Sequence, residues 1–93
     1  MKQKIYTVLD TKSGLYARPF FQVNHAVAER TCRKMVNDEQ SPFSLAPSDY
    51  QLYCIGEYDE ETGVITANEL PDGVLHFNTL VGHEDQLPLE MAR

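Results

Sequence analysis

β-Branched and aromatic residues crowd the start of the chain, and residues 3–10 (Gln-Lys-Ile-Tyr-Thr-Val-Leu-Asp) predict a strand. Thr11-Lys12-Ser13-Gly14 supplies local hydrogen bonding and a residue tolerant of positive φ, so a turn follows. Leu15 to Val23 then reads as the returning strand. Pro19 cannot donate to a ladder, which places this strand at a sheet edge or on a bulge. Asn24 is a helix N-cap. The apolar or small residues Ala28, Cys32, Met35 and Val36 predict one buried stripe on a helix over residues 25–36, ended by Asn37-Asp38.

Residues 37–49 are rich in turn formers, with Pro42 and Pro47 expected to stop further helix and Phe43 and Leu45 to pin the connection to the core. Tyr50 to Tyr58 is the clearest strand. It turns at Asp59-Glu60-Glu61-Thr62-Gly63 into a strand over Val64 to Ala67, and a shorter strand is expected around Val74 to Thr79. The expected fold is α+β: a small antiparallel sheet of two β-hairpins, with a possible extra strand, packed on one α-helix. Residues 1–82 form the domain in this reading, and residues 83–93 a polar C-terminal tail.

A domain of 93 residues buries only about 60–65% of its unfolded surface, which sets an expected stability on the order of 5 kcal/mol. Apolar runs of a few residues fall short of the roughly 20 that a membrane helix needs. The opening Met-Lys-Gln-Lys-Ile-Tyr-Thr-Val is not the pattern of a secretion signal. Cys32 and Cys54, with no Cys-x-x-Cys spacing, point to a reduced compartment and to thiols that serve as small buried apolar groups.

The net charge of −6 is unevenly placed. Residues 1–36 carry seven cations against two acids, whereas residues 37–93 carry Arg93 against twelve acids. Such asymmetry can mark a basic contact surface on an acidic body. Tyr6, Tyr16, Phe20 and Phe21 are interleaved with Lys2, Lys4, Lys12 and Arg18. Rings stack on unpaired bases while cations follow the phosphates, so this region is a candidate single-strand surface. Lys2, Lys4, Lys12 and Arg18 are the expected phosphate contacts, Tyr6 and Phe20 the stacking rings, and Arg30, Arg33 and Lys34 flanking charge. The alternative, with the aromatics in the core and the cations merely solvated, stays open, because a slip of one residue exchanges the two faces of a strand.

No reaction is indicated. His76 and His83 beside Glu84 and Asp85 lack a third ligand on one face, His25 reads as solvent-exposed in the helix's first turn, and residues 59–63 resemble only part of a calcium loop. Cys32 lies in the apolar stripe and is a poor nucleophile. The chain has no phosphate-binding glycine loop or nucleophile elbow. The expectation is therefore a protein with no catalytic residues, no metal and no cofactor.

Several segments resemble the non-structural protein family of gokushovirus-type Microviridae phages, which have single-stranded DNA genomes. These are Lys4-Ile5-Tyr6-Thr7-Val8 with Asp10, Pro19-Phe20-Phe21, Val36-Asn37-Asp38, and the run from Tyr50 to Asp59 with Thr62-Gly63. The resemblance implies a protein made in the host bacterial cytoplasm and absent from the virion. It also implies a role in viral DNA replication, favouring single-stranded genome synthesis and packaging. The partners it suggests are single-stranded DNA or phage or host replication proteins. Two further readings are an acidic adaptor or decoy acting through Asp59, Glu60, Glu61, Glu84 and Asp85, and a homodimer formed by paired edge strands.

Overall fold

In the computed structural model, residues 1–82 are described. A curled antiparallel sheet has the strand order β2-β1-β4-β5, with β3 also paired to β1. Its strands are β1 (Lys2–Asp10), β2 (Leu15–Tyr16), β3 (Phe20–Gln22), β4 (Tyr50–Asp59) and β5 (Ile65–His76). One main helix, α1 (His25–Val36), and one short turn of helix, α2 (Pro42–Leu45), pack with it. The class is α+β.

The turns at Asp10–Gly14 and Asp59–Gly63 share one chemistry. Asp10 Oδ1 accepts from the Lys12 N–H at 3.0 Å, and Asp59 Oδ1 accepts from the Glu61 N–H at 2.9 Å. Gly14 and Gly63 both donate their N–H to the carbonyl of that Asp at 2.8 Å, with φ near +75° and +76°. A β-carbon is disfavoured at that φ, which is why each loop closes on glycine.

Pro19 acts as its chemistry predicts. Pairing with β1 is interrupted between β2 and β3, at Ala17-Arg18-Pro19, and this broken strand forms one edge of the sheet. Ala17 bridges the gap, donating its N–H to the Val8 carbonyl at 2.8 Å and accepting from Thr7 Oγ1 at 2.7 Å. The opposite edge is interrupted too. Between Ala67 and Asp72 of β5, residues 68–71 stand against the single residue Ile55 of β4, and Asn68 Nδ2 donates to the Cys54 carbonyl there at 3.0 Å. The strand expected around Val74 to Thr79 is the end of this long β5, and Phe77–Leu80 is a 3-10 turn.

Asn24 caps α1, its side chain accepting from the Val27 N–H at 3.0 Å. Ala28, Cys32 and Val36 are buried against Tyr6, Val8, Leu52 and Cys54 of the sheet, with Met35 half-buried beside them. Asn37 ties the helix end to the 3-10 turn: its Nδ2 donates to the carbonyls of Arg33 and Leu80, and its Oδ1 accepts from the Gly82 N–H. Phe77 and Leu80 complete the core.

The connection at 37–49 differs from expectation. Pro42 begins a helical turn capped by Ser41, and Pro47 begins a 3-10 turn, because proline's missing N–H costs nothing at the first helical position. Phe43 does anchor the segment, with ring centroids 4.8 Å from Tyr50 and 5.4 Å from Phe77. Leu45 does not: it is 84% exposed.

Candidate interaction face

Register decides which side chains meet the helix. Tyr6 and Val8 face α1, so Lys2, Lys4 and Asp10, two residues apart on the same strand, share that side. Asp59 and Glu57 stand opposite Lys2 and Lys4 and share it too. Every charged residue of β1 and β4 therefore points to the helix side.

The other face carries Gln3, Ile5, Thr7 and Leu9 of β1 and Gln51, Tyr53, Gly56 and Tyr58 of β4. Tyr16 lies beside Leu9, Phe21 beside Ile5, and Ile65 and Ala67 beside Tyr58 and Gly56. Among the paired strand positions of this face there is no Asp, Glu, Lys or Arg. Its rings meet diagonally across β1. Tyr16 and Tyr53 are edge-to-face at 5.7 Å, and Phe21 and Tyr58 at 5.5 Å. Diagonal neighbours in a sheet lie within reach of aromatic side chains, so β1 is clasped from both sides. Ile5 and Thr7 are buried beneath the rings. Tyr16 stays 47% exposed, Phe21 45% and Ile65 60%. Helix α1, the Phe43 anchor and Phe77 all pack on the opposite side.

The expected stacking rings are thus corrected. Tyr6 is fully buried, and its hydroxyl hydrogen-bonds His25 Nδ1 at 2.6 Å. Phe20 stacks on Tyr6 at 5.9 Å and packs against the core. Tyr6 offers no face to a base, and Phe20 is half-buried on its core side. Tyr16, already noted among the aromatics of the first third, and Phe21 take the solvent side instead, joined by Tyr53 and Tyr58. Leu52-Tyr53-Cys54 alternates apolar-in and ring-out, which is the available signal for Tyr53.

The cations do not form one patch either. Lys2 and Lys4 lie at one end of β1, with Lys4 Nζ 3.7 Å from Glu57. Lys12 sits in the turn beyond the other end, about 27 Å away along the strand. Arg18 is on the broken edge, and Arg30, Arg33 and Lys34 are on α1, with Arg33 2.7 Å from Glu29. In the acidic turn, Asp59 is held below the usual carboxylate range mainly by the Glu61 N–H. Glu61 is 3.4 Å from the terminal amine, and Glu60 accepts from Gln3 at 3.1 Å. His83, Glu84 and Asp85 lie outside the described residues.

A family model described as "Phage ORF5 protein" matches residues 3–80, most of the chain and nearly all of the described fold. The chain belongs to the phage ORF5 protein family. Comparison with curated proteins and with solved structures gives no significant match. Membership makes this ORF5 protein viral. Among its described residues no helix is long and apolar enough to cross a membrane.

Two buried groups of the ORF5 protein give it an alkaline limit. Burial pushes the Cys32 thiol up to about 12 from its ordinary 9.0, aided by the Glu29 carboxylate. Burial likewise pushes Tyr6 up to about 12 from 10.0, with a smaller push from Cys54. Both groups stay neutral in the fold after the unfolded chain has ionised. The stability they carry is complete below about pH 9, falls as pH climbs, and is gone above about pH 12. Urea midpoints should therefore fall steadily across that window and rise again on return to pH 8. Cys32 should resist a thiol reagent at pH 8 until urea is added.

Proposed function

We propose that this ORF5 protein is a non-catalytic regulator of viral DNA replication that works by protein contact through its uncharged aromatic sheet face. The resemblance to gokushovirus-type non-structural proteins supplies the replication setting and the host bacterial cytoplasm as its site. The observation that favours protein over nucleic acid is the placement of charge. Single-strand sites pair stacking rings with cations that track phosphates. Here the rings occupy one face while Lys2, Lys4, Arg30, Arg33 and Lys34 belong to the helix side. Tyrosine-rich surfaces without charge suit the centre of a protein interface, where rings bury large area at low entropic cost.

A second reading keeps single-stranded DNA. It rests on the broken edge strand, where Tyr16, Arg18 and Phe21 are all exposed within six residues, beside Lys12.

Anisotropy titration of a labelled single strand at low and high salt separates the two. The protein-contact reading expects no saturable binding at micromolar protein in low salt. It also expects a phage or host replication protein to co-purify from infected cells after nuclease treatment. Salt-sensitive binding that disappears in Arg18→Glu would overturn it in favour of DNA.

A further inference from the structure

We infer that the partner covering the sheet face is a second copy of this chain, the two sheets packing face to face about a two-fold axis that runs along the strands. The inference rests on the reading that this face contacts protein, and names its occupant in the free protein, a copy that a replication protein would have to displace.

Area is the first argument. Four strands spaced about 4.8 Å apart, the central ones about 30 Å long, present a face of roughly 600 Å² before the relief of the rings is added. Each partner of a standard interface buries about 800 Å². The face is thus close to dimer size, and a chain with so small a core gains from covering Ile5, Thr7 and their flanking rings.

Charge is the second. Two copies of a chain with net charge −6 repel wherever acids meet, and this face is where the strands present none. The strand order fixes the rest. Basic residues 1–36 make β1, β2, β3 and α1, while β4 and β5 belong to the acidic remainder, so charge is graded across the sheet. A two-fold axis along the strands lays β2 of one copy over β5 of the other. Arg18 on one rim, at the level of Thr7 and Val8, then comes near the partner's opposite rim, where the excursion at 68–71 carries Glu69 in this chain. Any other two-fold face-to-face arrangement with aligned strands brings like rim over like rim.

Both helices face outward in such a sandwich, with Arg30 and Lys34 exposed on each. The ring pairs Tyr16–Tyr53 and Phe21–Tyr58 form the buried centre.

Sedimentation velocity of the full chain at tens of micromolar tests this directly. The expected result is a species of twice 10.6 kDa. Ile65→Glu is the decisive variant, because Ile65 is on the face by register with Tyr58, is exposed, and belongs to no core contact. It should yield a monomer with unchanged circular dichroism and a thermal midpoint that, unlike the wild type's, does not rise with protein concentration. Arg18→Glu, which sets like charges opposite one another across the rim, should raise the dimer Kd about tenfold. A monomeric wild type, or a dimer indifferent to Ile65→Glu, overturns the inference. An Arg18→Glu dimer of unchanged Kd overturns the axis along the strands. If the wild type is monomeric yet captures a replication protein that Ile65→Glu loses, protein contact at this face survives and the second copy does not.

Discussion

Replacing Phe77 with alanine should bring the protein to the edge of unfolding at 25 °C. Phe77 is fully buried in the 3-10 turn that follows β5, where it packs against Phe43 at 5.4 Å and Tyr50 at 6.0 Å. Those contacts join three separate parts of the chain: the loop after α1, the start of β4 and the end of β5. Truncating a buried phenylalanine costs about 3–5 kcal/mol through lost transfer energy and the cavity left behind. A domain of this size holds on the order of 5 kcal/mol in all. A urea midpoint driven close to zero denaturant would be the signature. A variant with a midpoint close to wild type would mean that Phe43 and Tyr50 close over the gap.

Gly56→Ala is expected to be almost as damaging, for a different reason. Gly56 lies on β4 between β1 and β5, opposite Ile5 on one side and Ala67 on the other. A β-carbon added there would sit 2.6 Å from the Thr66 carbonyl oxygen and 3.2 Å from the Ala67 α-carbon. Both neighbours are backbone, so relief requires β5 to move away and stretch its ladder with β4. Overpacking of this kind costs about 1–3 kcal/mol, and the absence of a yielding side chain puts this site at the upper end. For a chain of this length that is a fall of roughly 10–20 °C in Tm, readable by calorimetry. Gly73→Ala is the control, since the nearest atom to its added carbon is the Gln51 side-chain amide nitrogen at 3.4 Å.

What could be read from the sequence was whatever depended on local chemistry. Pro19 signalled an interrupted edge because it has no N–H to give. Asn24 signalled a helix start, and the stripe of Ala28, Cys32 and Val36 signalled the buried side of α1. The assignment of rings to faces could not be read so simply. Tyr6 and Phe20 pair across β1 and β3, and Phe21 is the very next residue, so choosing between them requires the register of strands held together by contacts from the far end of the chain. The cations failed as a group for a related reason. Closeness in sequence gathered Lys2, Lys4 and Lys12 into one list, but β1 holds the first two and the third at opposite ends. The excursion at 68–71 left no mark beyond Pro71, because its cause is pairing on both flanks and not anything in the four residues themselves.

The interruptions on the two margins of the sheet carry one more consequence. A flat, continuous margin is a template on which identical chains can add without limit, producing fibres. Here one margin loses its ladder at Ala17-Arg18-Pro19 and the other at residues 68–71, so neither offers more than a few consecutive free amides in line. Sideways polymerisation of the ORF5 protein is therefore disfavoured even at high concentration.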